Sequence, residues 1–267
     1  MDKVIRKANK LKGEITPPPD KSISHRAVMF ASLAKGTSRI KNFLWAKDPI
    51  SSLNAMKSLG VEIEIIKERE IIVNGKGLRS LNESNDIIDC GNSGTTIRLL
   101  SGILAGQPFL SILTGDDSLR QRPMKRIIEP LSMMGATIFG RKENTLPPLI
   151  IKGGKLRGIN YEMPIASAQV KSCILLAGLF AEGETTVIEP QKSRDHTEKM
   201  LKSIGAGIEA HRNIIKLSLP QRELNPFEIT IPGDFSSAAF FIAGATLIKG
   251  AELIIRNVCL NETRTGF

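Results

Sequence analysis

Four segments of the chain share one hydropathy pattern. AVMFASLA (27–34), IRLLSGILAG (97–106), CILLAGLFA (173–181) and AAFFIAGATL (238–247) each carry apolar residues at helical period. Each follows a short polar turn: Asp20-Lys21-Ser22, Asn92-Ser93-Gly94, Ser167-Ala168-Gln169 and Asp234-Phe235-Ser236. Each precedes a glycine and a β-rich run, GTSRIKNF, FLSILTG, GETTVIEP and GAELIIRNV. Between Ser22, Ser93, Ser167 and Ser236 the spacings are 71, 74 and 69 residues, so the pattern is an internal repeat.

A second helix in each unit ends in a shared signature, SLGVEIEI (58–65), MMGATIFG (133–140) and SIGAGIEA (203–210). Gly60, Gly135 and Gly205 suit a helix stop before a strand. One unit therefore reads as strand, helix, strand, helix, strand, strand (βαβαββ), and the fold class is α/β. Three complete units are present, and a fourth stops halfway at Phe267. A repeat of about 70 residues exceeds the roughly 20–50 residues of solenoid units, so compact packing around a common core is expected.

The formal net charge of +10 calls for an anionic partner. Nucleic acid is not expected, because aromatics are 4% of the chain, with one Trp and one Tyr, and the Lys and Arg residues are dispersed. Small phosphorylated substrates fit better. No apolar run approaches the roughly 20 residues of a membrane span, and the N-terminus lacks the apolar stretch of a signal peptide, so a cytoplasmic protein is expected. Cys90, Cys173 and Cys259 form no CxxC pair and read as buried or inert thiols. His25, His196 and His211 are scattered, no metal-ligand spacing occurs, and no GxxxxGK[ST] or GxGxxG loop follows a strand. No metal and no cofactor is expected.

The repeated turns carry the candidate chemistry. Helix N-termini expose unpaired N–H groups and partial positive charge, which suits phosphate and carboxylate. Arg26, Arg98 and Lys171 each stand one helical turn further in, and Lys21 precedes the first helix. Taken singly, Ser22, Ser93 and Ser167 read as ordinary N-caps with solvent-facing cations. Taken together, the repeat would bring equivalent helix ends to one side, which favours a site. TGDDSLRQRPM (114–124) adds Asp116, Asp117, Arg120 and Arg122.

PPDKSISHRA (18–27), CGNSGTTIRLL (90–100), GDDSLRQRPM (115–124), SAQVKSCILLAGL (167–179), SRDHTEKML (193–201), GDFSSAAFF (233–241) and NETRTGF (261–267) resemble, in order, the motifs of the EPSP synthases (3-phosphoshikimate 1-carboxyvinyltransferases). The resemblance implies an inside-out barrel of the enolpyruvyl transferase type, six βαβαββ units in two domains with the substrates between them. Residues 16–227 would form a complete inserted domain, and 1–15 with 228–267 part of the other. It implies transfer of the enolpyruvyl group of phosphoenolpyruvate to the 5-hydroxyl of shikimate 3-phosphate, by a protein that is a monomer when complete. Lys21 would touch both substrates and serve catalysis. Ser22, Arg26, Ser167, Ala168 and Gln169 would hold shikimate 3-phosphate, with Ser193 or Arg194 at its phosphate. Gly94 would admit phosphoenolpyruvate to the backbone, Arg122 would clamp its phosphate, Gln169 would lie between the substrates, and Asn92 and Arg98 would support them. The family's acid/base carboxylates come from the C-terminal portion, so this chain is expected to be cut off before them and inactive alone, an anion-binding fragment or half of a split enzyme. The sister family of UDP-N-acetylglucosamine enolpyruvyl transferases is the alternative. It typically carries a cysteine in the loop at 114–124, where this chain has none.

Overall fold

The computed structural model describes residues 4, 9–67, 69–218 and 222–266. Strand β1 (Lys12–Ile15) precedes the first unit, α1 (Lys21–Leu33), β2 (Lys35–Lys41), α2 (Lys47–Ser58), β3 (Glu62–Lys67) and β4 (Glu70–Lys76). The second unit runs β5 (Ile88–Asp89), α3 (Gly94–Ala105), β6 (Leu110–Thr114), α4 (Lys125–Met133), β7 (Thr137–Gly140), the single turn α5 (Arg141–Asn144) and β8 (Leu146–Lys152). The third holds β9 (Leu156–Arg157), β10 (Asn160–Glu162), α6 (Ala168–Gly178), β11 (Ala181–Glu182), β12 (Thr185–Ile188), α7 (His196–Ser203), β13 (Ile208–His211) and β14 (Ile214–Leu217). After it come β15 (Glu228–Thr230), α8 (Phe235–Leu247) and β16 (Glu252–Ile255).

Each unit builds one four-stranded sheet of the same topology. The orders are β15-β2-β4-β3, β5-β6-β8-β7 and β10-β12-β14-β13. In each the first pair is parallel and the other two pairs are antiparallel. The first position of the first sheet is filled by β15, which follows the third unit, with Glu228 opposite Arg39. β1 instead pairs in parallel with β16, Lys12 opposite Glu252. The two chain passages meet in reciprocal hydrogen bonds, Asp20 N–H to Pro232 O and Asp234 N–H to Pro18 O, both 2.7 Å.

The sheets lie outside and the helices inside. Eleven of thirteen residues of α1, eleven of twelve of α3 and nine of eleven of α6 are buried. Strand alternation supplies the cover: Ile71 and Val73 of β4 and Leu149 and Ile151 of β8 point in, while Ile150 points out. Each such buried aliphatic side chain contributes about 1.5–3 kcal/mol. This arrangement is the inside-out barrel that the repeat and the resemblance led us to expect. The second helices close as expected too. Gly60, Gly135 and Gly205, each two residues beyond its helix, have φ of 85°, 100° and 92°, values that a side chain would strain.

Cys90 and Cys173 are buried and Cys259 is half-buried, and burial pushes all three thiols up. Among the described residues no helix is long and apolar enough to cross a membrane, and no cluster of three His, Cys, Asp or Glu side chains could hold a metal ion.

Candidate active site

The four repeated turns do cap helices, but not all through serine. Ser93 accepts from Thr96 N–H (3.0 Å) and Ser167 from Val170 N–H (3.4 Å). At the first and fourth turns the acceptors are Asp20, from Ile23 N–H (2.9 Å), and Asp234, from Ser237 N–H (3.1 Å). Ser22 lies inside the first turn of α1, where its carbonyl accepts from Arg26 Nη1 at 3.0 Å. A carboxylate one position before Lys21 is the stronger acceptor, and so it takes the cap.

None of the three helix cations faces solvent. Arg26 and Arg98 are each 4% exposed and Lys171 is fully buried. Lys171 Nζ is held by Glu189 Oε2 at 2.8 Å and Glu198 Oε1 at 2.6 Å, so its charge is already matched. The arginines have only neutral partners. Arg26 donates from Nε to Thr197 Oγ1 (2.7 Å) and from Nη2 to Ser172 Oγ (2.8 Å). Arg98 donates from Nη1 to Gln169 Oε1 (2.6 Å) and from Nη2 to Pro123 O (3.3 Å). Among the described residues no ion pair involves Arg26, Arg98, Arg122 or Arg194. Burial lowers Arg26 and Arg98 to about 10, which leaves both charged at neutral pH. Glu198 and Asp20 favour the charge of Arg26 without touching it, and an incoming anion would further relieve the cost of these buried cations.

Arg122 joins Arg98 at the start of α3. A Cβ on Gly94 would lie 2.8 Å from Arg98 Nη1 and 3.0 Å from Arg122 Nη1. Arg122 Nη2 donates to Asn92 Oδ1 (2.5 Å), and Asn92 Nδ2 donates to Asp116 Oδ2 (2.7 Å). Asp116 also accepts from Leu119 N–H (2.8 Å), and these hydrogen bonds hold its carboxyl low. The charged turn after β6 is thus an organised support for Arg122. From α6, Gln169 reaches Arg98 with its oxygen and Thr95 Oγ1 with its nitrogen (3.0 Å). Ala168 is the first residue of α6.

Lys21 begins α1 with its side chain half exposed, and its Nζ pairs with Asp48 at 3.0 Å. Ser193 donates through both its amide (3.3 Å) and its hydroxyl to Glu189 Oε1. Arg194 is exposed, yet close enough for its charge to act on Arg26.

Several participants lay outside the sequence reading. Asp48, Ser172 and Thr197 had no signal of their own. Asn261 and Arg264 were read as part of a motif without a role. Arg264 is bound by Asp20 and by Ser236 Oγ (2.5 Å), with Asp234 Oδ1 at 3.4 Å, so it joins the caps of α1 and α8.

The sequence matches the family described as EPSP synthase (3-phosphoshikimate 1-carboxyvinyltransferase) over residues 5–267. The chain belongs to the EPSP synthase family. It is 74% identical over 267 residues to the 3-phosphoshikimate 1-carboxyvinyltransferase of Thermodesulfovibrio yellowstonii, covering 100% of this chain and 62% of that protein. It is 55% identical over 263 residues to that of Alkaliphilus metalliredigens, covering 98% and 61%. The solved EPSP synthase of Acinetobacter baumannii superposes with a TM-score of 0.89 at 47% identity, covering 96% of this chain and 57% of that one. The chain thus spans about 62% of the length of the first of these curated relatives.

Proposed function

We propose that this chain carries the shikimate 3-phosphate site, and part of the phosphoenolpyruvate site, of a 3-phosphoshikimate 1-carboxyvinyltransferase. The carrying observation is a set of arginines that, among the described residues, have no carboxylate in ion-pair contact: buried Arg26 beside α1 and α6, and buried Arg98 with half-buried Arg122 at the start of α3. In this reading Lys21, Ser22, Arg26, Ser167, Ala168, Gln169, Ser193 and Arg194 take shikimate 3-phosphate. Lys21, Gly94, Arg122 and Gln169 take phosphoenolpyruvate, with Asn92 and Arg98 holding Arg122 and Gln169 in place.

The chemistry follows from the charges. Guanidinium forks match phosphate and carboxylate in two hydrogen bonds at once, and fixed cations stabilise charge that gathers on a departing phosphate. Lys21, bound to Asp48 at a half-exposed position, is free to exchange that partner for substrate. The lack of a side chain at Gly94 keeps the space between Arg98 and Arg122 open for a phosphate against the α3 amides.

The domain division proposed with this function keeps 16–227 as one domain and 1–15 with 228–267 as part of another. The reciprocal hydrogen bonds of Asp20 and Asp234 would mark the junction. The complete protein is proposed to act as a monomer on small anions in the cytoplasm, without nucleic acid, and this chain is proposed to be inactive alone.

Calorimetric titration of shikimate 3-phosphate into this chain tests the reading, with UDP-N-acetylglucosamine and Arg26→Ala as controls. Saturable binding of shikimate 3-phosphate alone, lost in the variant, is expected. Absence of binding by the folded chain, or binding indifferent to Arg26→Ala, would overturn it.

A further inference from the structure

His196 opens α7 between Arg194 and Thr197, and Thr197 is the residue that accepts from Arg26 Nε. The imidazole is 4% exposed. Its Nδ1 lies 3.3 Å from Asn261 Nδ2, and its Nε2 is buried with no partner among the described residues.

The orientation of Asn261 decides the tautomer. Asn261 Oδ1 accepts from Thr263 N–H at 2.8 Å and Thr263 Oγ1 at 2.6 Å, so turning the amide round would set its NH2 against the Thr263 N–H and its oxygen against the Asp195 carboxylate. Its Nδ2 therefore faces Asp195 Oδ1, at 2.7 Å, and His196 Nδ1. A nitrogen facing a donor must be the acceptor. The proton of the neutral ring then sits on Nε2, which makes Nε2–H a buried donor without an acceptor, a costly state unless something fills it. Burial, then the fields of Arg26, Arg264 and Arg194, hold the ring at about 4, so it is neutral at pH 7. His25 differs: its Nδ1 faces the hydroxyl of Ser52 (2.7 Å), which can donate or accept, and so no tautomer is imposed.

We propose that His196 Nε2–H is a further donor of the shikimate 3-phosphate site, directed at an oxyanion of the ligand beside Arg26 and Arg194, and that Asn261 is its positioning residue. This inference rests on the substrate reading above. It gives the NETR segment a role there, because Asn261 reaches the third unit from beyond α8 and sets which imidazole nitrogen carries the proton.

The test is nitrogen NMR of the chain labelled at histidine, with and without shikimate 3-phosphate, together with calorimetry of variants. His196→Phe assigns the signals. The wild-type ring is expected as the neutral Nε2–H tautomer at pH 7, with its Nε2 resonance moved by the ligand. His196→Phe should weaken binding about tenfold or more, as loss of a hydrogen bond to a charged acceptor does. His196→Gln, which keeps a donor, should recover most of that loss. Asn261→Leu should admit the Nδ1–H tautomer and weaken binding by a smaller factor. An Nδ1–H tautomer or an imidazolium in the wild type would overturn the proposal. So would ligand binding that leaves the His196 signals unmoved and is equal in a folded His196→Phe variant. In either case the substrate reading would stand. Failure of the wild-type chain to bind shikimate 3-phosphate at all would overturn that reading, and this donor with it.

Discussion

Helices α6 and α8 are both apolar around nearly their whole circumference, the composition of a helix meant for an interior. They meet opposite fates. Nine of eleven residues of α6 are buried, against two of thirteen in α8, where Phe240 is 82% and Leu247 84% exposed. α6 packs against α3, α4 and β12, whereas the principal partner of α8 is β16. Yet their N-termini are built alike, each with a side-chain cap. The difference teaches that capping is local and set within a few residues, while burial of the helix body depends on neighbours that the helix's own sequence does not supply. In this chain the described residues leave the body of α8 bare, a surface of the kind that marks an interaction face.

The largest effect that would sharpen the contrast is on the charge inside α6. Lys171→Met strands Glu189 and Glu198 as buried, unmatched carboxylates, which should cost about 3–5 kcal/mol. It should also loosen the Ser193 turn that Glu189 holds. A urea midpoint close to the wild type's would show that the buried charges are hydrated and the α6 interior is not closed. Next in size is a matched pair of truncations. Leu175→Ala, at a fully buried position of α6, should cost about 2–5 kcal/mol. Phe240→Ala on α8 should change stability by less than about 0.5 kcal/mol while reducing binding of an apolar dye. Equal costs at the two sites would break the comparison.

How much of this the sequence could reveal follows the same division. The repeat, the second-helix glycines and the helix N-termini were legible because caps and stops are local. The partners of those ends were not. β15 is three residues long, with nothing in its pattern to say that it pairs with β2 rather than with a nearer strand. Ser22 had the look of a cap, but Asp20, two residues earlier, took the role. Lys171 looked equivalent to Arg26 and Arg98 by its place in the repeat. Only the approach of Glu189 and Glu198 from other elements separates a matched cation from the unmatched ones. Asn261 acts on Asp195, 66 positions away, and Arg264 on Asp20, 244 positions away, separations over which spacing carries no signal.

Acid should act on the closed region and spare the bare one. Burial, with the charges of Arg26 and Lys21, holds His25 at about 3, and His196 is held at about 4, against an ordinary value of 6.5. A depressed imidazole means the fold prefers the neutral ring. Its contribution is whole above pH 6.5 and shrinks as pH falls toward the folded value, by about 1.4 kcal/mol per pH unit for each ring. Asp20 and Glu198, raised chiefly by burial, have the opposite sign and offset part of the loss at the acid end. Stability by urea titration should therefore fall between pH 6.5 and 4.5, and His25→Asn should flatten that fall by one proton. An unchanged slope would place His25 in contact with water. α8 has no ionisable side chain, so hydrogen exchange along it should be no more acid-sensitive than the global opening allows.

The smallest effect concerns the one proposed catalytic group that is not buried. Lys21 and Asp48 form a partly exposed pair, and such pairs contribute roughly 0–1 kcal/mol. Asp48→Ala should leave the urea midpoint nearly unchanged, because water replaces the carboxylate at the ammonium with little loss. The same change removes a competitor for Lys21, so affinity for shikimate 3-phosphate should rise slightly or stay level, and its salt dependence should steepen. A large drop in stability would mean that the Asp48 carboxylate, in the first turn of α2, secures that helix end. A large drop in affinity without a drop in stability would mean instead that the pair itself aims Lys21 at the ligand. The first outcome would assign Asp48 to the fold and the second to the site, and a near-null result on both measures is what a half-exposed ion pair at a helix end predicts.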